Sequence, residues 1–283
     1  MNNTIKKEVD IDIWITHIPH LLDISRYQNI LDSKDYKRYL AFPISSASSQ
    51  FVVSRAMVRT ALSSLSGQKI KPDQWRFEYL SNGKPKAVAP GTEFHAHFNL
   101  SHAHFIATVA VSANYELGID IEPLNPHIQP ADIRAVLSES EFLDLLQLAP
   151  GERSRELIKL WTLKEAYLKL LGTGMIIDPA RIEVGIKPLR ILYDRSYPVG
   201  DDLFTRNWVL DLNGKTFSLS LATWITDERN PSITFHLFDP RLDHQKYSQQ
   251  FTYISKQKKE EWIWNDYIIY SSDAAAPTKH GQP

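Results

Sequence analysis

The sequence predicts an α+β fold made of two halves, since segments with strand-like and helix-like patterns come in separate blocks. In the first half, Val9, Ile11, Ile13 and Ile15 alternate with Asp10, Asp12, Trp14 and Thr16. Residues 33–65 carry apolar residues at helical spacing, and residues 94–121 are again strand-like. In the second half, a helical block precedes a strand-like block. The order β, α, β and then α, β places the boundary between the halves near Gly118.

The elements of the first half each have a local signal. The alternation over 9–16 is typical of a half-buried strand. Pro43 interrupts the helical pattern, which predicts two helices, the second ending near Gly67. Ser81-Asn-Gly-Lys-Pro85 has the composition of a turn. Three further strands are predicted over 94–99, 105–111 and 117–121, with a hairpin turn at Ser112–Tyr115 between the last two.

The second half begins after a linker at Asn125–Pro130. Helices are predicted near 131–148 and 154–171, because Ala149-Pro-Gly151 is a stop signal between them. Strands follow over about 180–225, with the clearest at Phe217–Trp224.

These patterns predict a domain organisation in three parts. An N-terminal α+β half covers residues 1–118, and a C-terminal α+β half covers 119–226. Residues 227–283 form a C-terminal extension to which the sequence assigns no function. The small and polar residues from Asp273 onward predict that the end of this extension is disordered.

Composition excludes several classes of protein. The formal net charge is −1, so no global basic field favours nucleic acid, and an anionic ligand must be bound by a local cluster. The chain has no cysteine, which excludes disulfides and thiolate metal sites and is compatible with a reducing cytoplasm. The polar N-terminus does not resemble a signal peptide, and the apolar run 105–111 is far too short for a membrane span. We therefore expect a soluble cytoplasmic protein.

Two pairs of charged residues predict a metal site. Asp120 and Glu122 lie two positions apart on a predicted strand, so both carboxylates point to one side. Glu165 and Lys169 lie four positions apart on a predicted helix, one turn from each other. Carboxylates beside a lysine suit Mg²⁺ bound to a substrate phosphate. The alternative is a solvated strand edge and an ordinary helical ion pair.

A histidine cluster offers a different metal site. His95, His97, His102 and His104 fall within ten residues, and His95 and His97 are predicted to share one strand face. Such a pair could bind zinc, which makes a zinc hydrolase an alternative function. The absence of a His-Glu-x-x-His motif and the nearby carboxylates argue against it.

Several polar residues could bind phosphate. Ser101-His102 is predicted to lie in a turn between two strands, where hydroxyl, imidazole and backbone amides could donate to anionic oxygens or simply satisfy the turn. Arg55 and Arg59 form a basic stripe on the predicted second helix, and Lys84 adds charge to the Asn-Gly-Lys-Pro turn.

Four motifs in order resemble one family. They are Asn82–Pro85, Phe98-Asn-Leu-Ser-His102, Gly118-Ile-Asp-Ile-Glu122, and Trp161-Thr-Leu-Lys-Glu-Ala-Tyr-Leu-Lys169 followed by Leu171–Gly174. Together they resemble the 4′-phosphopantetheinyl transferases of the surfactin-synthetase-activating type. The resemblance covers roughly residues 9–225 and leaves the C-terminal extension uncovered.

The resemblance implies a fold of two similar α+β halves, with the active site at their interface. It implies transfer of the phosphopantetheine arm of coenzyme A to a serine of an apo acyl, peptidyl or aryl carrier protein, with release of adenosine 3′,5′-bisphosphate. Carried onto this chain, Mg²⁺ is held by Asp120, Glu122 and Glu165. The catalytic residues are Glu165, Lys169 and His102, and coenzyme A is bound by Arg55, Lys84, Ser101, His102, Lys164 and Lys169.

The resemblance leaves two points open. Glu165 is the first candidate for the general base, but a metal-bound water is an alternative. A relative that binds coenzyme A or a carrier protein without turnover is an alternative to an enzyme, although the complete set of Asp120, Glu122, Glu165 and Lys169 argues against it. We expect a magnesium-dependent, monomeric transferase.

Overall fold

The computed structural model of the protein describes residues 10–18, 23, 25–42, 46–125, 127–173, 176–212, 214–225, 230–240, 249–253, 261–264 and 267–271. Its α-helices are α1 (Ser33–Leu40), α2 (Ser46–Leu65), α3 (Glu139–Gln147) and α4 (Pro150–Leu171). Its strands are β1 (Ile11–His17), β2 (Arg76–Tyr79), β3 (Pro85–Val88), β4 (His97–Ala103), β5 (Ile106–Ser112), β6 (Leu117–Pro123), β7 (Ile182–Ile186), β8 (Leu189–Asp194), β9 (Leu203–Leu212), β10 (Lys215–Trp224), β11 (Ile233–Leu237), β12 (Gln249–Tyr253), β13 (Glu261–Trp264) and β14 (Tyr267–Ser271). Short 3₁₀ helices lie at Ser25–Ile30, Pro72–Gln74, Pro130–Val136 and Pro179–Arg181.

Two five-stranded sheets form the centre of the fold. The first sheet has the order β12-β11-β1-β5-β4, and the second has the order β13-β14-β9-β10-β6. Neighbouring strands are antiparallel except β1 and β11, which run parallel. β2 with β3 and β7 with β8 form two separate hairpins. The predicted α+β class is confirmed by this mixture of helices and mainly antiparallel sheets.

The two sheets pack against each other, and each covers its other face with a long helix. Ile13 of β1 and Ile119 of β6 belong to one buried cluster between the sheets. Trp14, which follows Ile13, points to the opposite side and packs with Met57 of α2. On the outer side of the second sheet, Tyr167 of α4 packs in a third cluster. The alternation of side chains along each strand thus builds four layers.

Several elements agree with their sequence signals. The chain forms separate helices α1 and α2 on either side of Pro43, and α2 is followed by Gly67 at φ 64°. α4 ends at Gly172, which has the left-handed conformation (φ 70°, ψ 15°) of a helix C-cap. The second-half strands, including the one predicted at Phe217–Trp224, are present as well.

Other predictions were wrong. Ser101 and His102 lie within β4, and the turn between β4 and β5 is formed by the next residues, His104 and Phe105. The segment Ser112–Tyr115 is no hairpin turn, because β5 and β6 belong to different sheets and the segment connects them. α4 begins at Pro150, since proline suits the first turn of a helix.

The C-terminal extension contributes strands to both sheets. β11 pairs with β1 in the first sheet, and β14 pairs with β9 in the second. The boundary predicted near residue 226 therefore does not separate the extension from the sheets. The similarity of the two halves stays a prediction, and the end predicted to be disordered lies outside the described residues from 272 onward.

None of the described α-helices could span a bilayer. Among them, no helix combines the length and the apolar character that crossing a bilayer requires.

Candidate active site

Strand β6 presents alternate residues to two different layers. Ile119 and Ile121 are fully buried between the sheets. Asp120 and Glu122 lie on the opposite side of the strand, towards α4. The buried apolar face therefore fixes the strand while its polar face is held against a helix.

Gly118 allows α4 to approach β6 closely. A Cβ atom built on Gly118 would lie 1.9 Å from the carbonyl oxygen of Ala166 and 2.4 Å from the backbone nitrogen of Leu170. Both contacts are to the helix backbone, which cannot move aside as a flexible side chain can. The missing side chain thus brings the helix turn that carries Glu165 and Lys169 next to Asp120.

We expect Gly118→Ala to lower both stability and activity. The extra methyl group would push α4 away from β6, and overpacking of this kind costs about 1–3 kcal/mol. Thermal unfolding and a transfer assay on the soluble variant measure the two effects. Gly151→Ala in the first turn of the same helix is the matched control, because nothing lies within 4 Å of a Cβ atom at that position. A Gly118→Ala variant as stable and active as the wild type would contradict this account of the helix position.

A lysine, a serine and an aspartate form a hydrogen-bonded group between α4, β4 and β6. Lys169 Nζ donates to Asp120 Oδ1 at 2.6 Å and to Ser101 Oγ at 3.0 Å. Ser101 Oγ in turn donates to Asp120 Oδ1 at 2.7 Å. The side chain of Asn99 accepts from the backbone nitrogen of Ile119 at 3.0 Å, which ties β4 to β6 beside this group. Residues from both sides of the boundary predicted near Gly118 therefore meet here.

Burial raises the pKa of the three carboxyls, and repulsion from neighbouring carboxyls adds to the rise at Glu122 and Glu165. Burial, together with Asp120 and Glu165, raises the pKa of Glu122 to about 7. The pKa of Glu165 is raised by burial and by the neighbouring Asp120. Burial also raises the pKa of Asp120, although Lys169 and Ser101 oppose the rise. The carboxyls are thus close enough to disfavour one another's charge, and Lys169 offsets this only in part.

The same group contains acceptor atoms without partners. Asp120 Oδ2 and Glu165 Oε1 are buried and accept no hydrogen bond. A buried carboxylate oxygen without a donor is costly, and a cation would satisfy it. Within the described part of the chain, however, no three histidine, aspartate or glutamate side chains are placed as a complete metal site. The oxygen donors suit Mg²⁺ chemically, but binding it would require the three side chains to move closer together.

The predicted phosphate-binding residues lie in different places. Ser101 is buried in the hydrogen-bonded group, whereas His102 is exposed because it points to the other side of β4. Lys84 reaches α4, where its Nζ donates to the carbonyl oxygen of Leu170 at 2.9 Å. Arg55 lies 3.4 Å from Asp35 and donates to the hydroxyl of Tyr79 at 3.2 Å. Ser101 and Lys84 are thus the two of these four with direct contacts to α4.

The assignment of Lys164 to coenzyme A needs correction. Its Nζ is fully buried and donates to Glu141 Oε2 at 2.6 Å and to the carbonyl oxygens of Val136 and Pro179 at 2.9 Å each. Three acceptors use all three of its N–H groups. One helical position away from Glu165, Lys164 faces the interior and ties α4 to α3 and the chain before β7.

One residue of the site was missed. The indole N–H of Trp161 donates a hydrogen bond to Glu122, which opposes the rise of the pKa of that carboxyl. Trp161 stands four positions before Glu165, just as Lys169 stands four after it, so helical spacing places all three along one face. This four-residue spacing is the sequence signal that could have identified Trp161 as a residue of the site.

Comparison with known proteins identifies the family. The family model described as the 4′-phosphopantetheinyl transferase superfamily matches residues 116–222, which include both β6 and α4. The 4′-phosphopantetheinyl transferase HetI of Nostoc sp. is 33% identical over 187 residues, covering 63% of this chain and 75% of the relative. The chain belongs to the 4′-phosphopantetheinyl transferase superfamily.

Other relatives carry the same family name. The 4′-phosphopantetheinyl transferase pptA of Paxillus involutus is 27% identical over 182 residues, covering 58% of this chain and 68% of the relative. The 4′-phosphopantetheinyl transferase Sfp of Bacillus subtilis is 34% identical over 80 residues, covering 28% of this chain and 35% of the relative. The predicted family and the predicted class of enzyme, a 4′-phosphopantetheinyl transferase, are thereby confirmed.

Proposed function

We propose that this phosphopantetheinyl transferase moves the 4′-phosphopantetheine arm of coenzyme A to a serine hydroxyl of an apo carrier protein, with Mg²⁺ as cofactor. Adenosine 3′,5′-bisphosphate is the other product. The observation that carries the proposal is the group of Asp120, Glu122, Glu165 and Lys169, in which two buried carboxylate oxygens lack a partner. Such a group suits a pyrophosphate held by a hard cation and a lysine.

The three carboxylates have the first role in this mechanism. Asp120, Glu122 and Glu165 would hold Mg²⁺ against the pyrophosphate of coenzyme A. When bound, the ion supplies positive charge that lowers the repulsion between the phosphate and the incoming serine. Trp161 orients the Glu122 carboxyl through its indole N–H.

Lys169 supplies charge from the chain itself. Its ammonium donates to Asp120 and Ser101, and the Lys169 side chain is 28% exposed, so the residue is held on one side and open to a phosphate on the other. As the bond to the leaving phosphate breaks, negative charge grows on that oxygen, and a preplaced ammonium stabilises it. Ser101 accepts from the Lys169 ammonium and donates to the Asp120 carboxylate, which fixes the position of these two groups relative to each other.

Glu165 is the residue best placed to accept the proton of the serine hydroxyl. In the metal-free protein its pKa is raised by burial and by Asp120, which favours acceptance of a proton. Mg²⁺ held by the same carboxylate would lower this pKa again. The proton moves from the serine oxygen to Glu165 while the oxygen bonds to phosphorus and the bond to the adenosine-bearing phosphate breaks.

The histidines give little support to the alternative zinc hydrolase. His97 opens β4, His95 lies before that strand, and His102 points away from Ser101. His104 lies in the following turn at φ 51°, with its carbonyl oxygen accepting from Gln50 at 3.1 Å. His95 and His97 line one pocket, whereas His102 and His104 lie at the other end of β4, so the four histidines do not converge on one site.

The proposal is tested by the intact mass of a carrier protein. An apo carrier protein incubated with this protein, Mg²⁺ and coenzyme A should gain roughly 340 Da, the mass of one phosphopantetheine arm. Chelation of the metal should abolish the gain. If several types of carrier protein gain no mass while the folded protein still binds coenzyme A, a binding protein without turnover becomes the better description.

Mg²⁺ should stabilise the protein more at alkaline than at acidic pH. The pKa of Glu122 rises from 4.5 to about 7 on folding, so between these values the folded state binds more protons than the unfolded state, and the free energy of unfolding falls as the pH rises. A cation offsets this loss only where the carboxylates are ionised. Melting curves with Mg²⁺ and with EDTA should differ by several degrees at about pH 8 and by little at about pH 5.5.

NaCl at the same ionic strength distinguishes binding of Mg²⁺ at the carboxylates from salt screening, because Na⁺ screens charge without occupying a divalent cation site. An equal shift of the melting temperature by Mg²⁺ at both pH values would remove these carboxylates as the binding groups.

The location, the oligomeric state and the type of carrier protein are predicted from the sequence alone. A cytoplasmic location, a monomeric state and an acyl, peptidyl or aryl carrier protein as acceptor stay predictions. Size-exclusion chromatography with light scattering tests the monomer, and a panel of the three carrier types in the mass assay tests the acceptor.

A further inference from the structure

The turn of the β2–β3 hairpin contacts the C-terminal end of helix α4. Lys84 Nζ donates to the carbonyl oxygen of Leu170 at 2.9 Å. A Cβ atom built on Gly172, the C-cap of α4, would lie 2.5 Å from Asn82 Nδ2 and 3.2 Å from Lys84 Cδ. The hairpin turn is therefore packed directly on the last turn of the helix that carries Lys169.

The hairpin turn is closed by its own hydrogen bonds, which fix the backbone position of Lys84. The backbone nitrogen of Leu80 donates to the carbonyl oxygen of Lys84 at 3.0 Å, and the backbone nitrogen of Gly83 donates to that of Leu80 at 2.8 Å. Asn82 Oδ1 accepts from the backbone nitrogen of Lys84 at 3.1 Å. Gly83 has a φ of 82°, which residues with a side chain rarely adopt. The lysine thus reaches α4 from a defined starting point.

The end of α4 is where a lysine contact is most favourable. The last four carbonyl groups of a helix have no partner within it, and the helix dipole places partial negative charge there. Because α4 ends at Leu171, the carbonyl oxygen of Leu170 is one of these four. The ammonium of Lys84 supplies both a donor and a positive charge.

Lys84 makes this contact in a partly buried position. Burial lowers its pKa, and the charge of Glu116 opposes this effect. Hydrogen bonds from charged groups are stronger than those between neutral groups, and exclusion of water strengthens them further. The hydrogen bond to Leu170 therefore holds the end of α4 more firmly than a solvated lysine would.

The contact lies next to the ammonium group of the catalytic site. Leu170 follows Lys169, whose Nζ donates to Asp120 at 2.6 Å and to Ser101 at 3.0 Å. Lys84 holds the backbone of this last helical turn, whereas Asp120 and Ser101 hold its lysine side chain. A displacement of the backbone would therefore move the Lys169 ammonium relative to the carboxylates.

We propose that Lys84 is a positioning residue, which holds the C-terminal turn of α4 so that the Lys169 ammonium stays in contact with Asp120 and Ser101. This inference rests on the proposed function, in which Lys169 stabilises charge on the leaving phosphate. It gives Lys84 a role other than the predicted binding of coenzyme A. Asn82 supports the same contact by packing on the end of the helix.

Transfer kinetics of single and double variants test the proposal. Lys84→Met should lower kcat about tenfold or more and leave the affinity for coenzyme A, measured by calorimetry, near the wild-type value, because a displaced group costs rate more than binding. Lys84→Arg keeps a charged donor and should restore most of the lost rate. In a Lys169→Met background, Lys84→Met should cause little further loss, since residues that act through one group are not additive.

Lys86→Met is the matched control, because it removes the same charge from the same hairpin at an exposed side chain two residues further along. It should leave kcat unchanged. A loss of affinity for coenzyme A with unchanged kcat in Lys84→Met would assign Lys84 to substrate binding and overturn the proposal. An equal loss of rate in the wild-type and Lys169→Met backgrounds would overturn it too, because Lys84 would then act independently of Lys169.

Hydrogen exchange gives a measurement that does not depend on transfer. The backbone amides in the last turns of α4 should exchange faster in Lys84→Met than in the wild type and in Lys86→Met, because the helix end opens more often without its contact. Unchanged exchange in Lys84→Met would contradict the positioning role. If the wild type transfers no phosphopantetheine to any carrier protein, the proposed function fails, and the exchange experiment still decides whether Lys84 holds α4.

Discussion

Glu165→Gln should bind coenzyme A like the wild type and lose transfer by about a hundredfold or more, the size of effect seen when a group that stabilises the transition state is removed. The amide keeps the shape of the side chain but cannot accept the serine proton. It also removes one proposed anionic ligand for Mg²⁺ and one source of repulsion on Glu122. Single-turnover rates with an apo carrier protein, beside calorimetric titration of coenzyme A, separate chemistry from binding.

Glu152→Gln is a suitable control because it makes the same change in the exposed first turn of the same helix. It should leave transfer unchanged. A Glu165→Gln enzyme with full transfer at saturating Mg²⁺ would remove Glu165 from both the metal site and the proton transfer.

The grouping of Asp120 with Glu122 and of Glu165 with Lys169 could be predicted from the sequence because each spacing lies within a single element. A period of two places Asp120 and Glu122 on one side of β6, and a period of 3.6 places Glu165 above Lys169 on α4. The contact between the two pairs could be predicted only from the family resemblance, because no local pattern indicates which strand packs against which helix. Gly118 is the local reason, and its role becomes visible only once the helix backbone is in place.

The prediction for Lys164 failed because the motif was read as a set of residues without its helical geometry. Adjacent residues on a helix point about 100° apart, so Lys164 cannot share a face with Glu165. Its actual partner, Glu141, lies 23 residues earlier on α3. Helical geometry could have excluded the substrate role, but the identity of the partner depends on tertiary packing.

The pairing of strands was the other feature of the fold that local sequence patterns could not predict. β5 and β6 are consecutive strands, and consecutive strands usually neighbour each other, which favoured a hairpin. In the structure they separate into two sheets, in which β5 lies between β1 and β4 and β6 pairs with β10. β1 also pairs with β11, more than 200 residues later in the chain. Each of these strands has the expected alternation, but alternation gives no information about the partner.

Asp120→Asn should reduce transfer by about a hundredfold or more without lowering stability. The pKa of Asp120 is raised above its ordinary value, which means that folding disfavours its ionised form. A neutral amide therefore relieves a cost of the metal-free protein and lowers the repulsion on Glu122 and Glu165. In EDTA at about pH 8, the variant should melt at the wild-type temperature or above it.

A variant such as Asp120→Asn that loses activity without losing stability identifies a functional carboxylate, whereas replacement of a structural carboxylate lowers both. Ser101→Ala gives the comparison, because it removes the hydroxyl that donates to Asp120 but leaves every charge in place. We expect a smaller loss of transfer, about tenfold, and a modest loss of stability from one broken buried hydrogen bond. The Mg²⁺ concentration for half-maximal transfer should rise for Asp120→Asn and stay near the wild-type value for Ser101→Ala. A destabilised Asp120→Asn with unchanged metal dependence would mean that Asp120 serves to anchor Lys169, and that the metal lies on other groups.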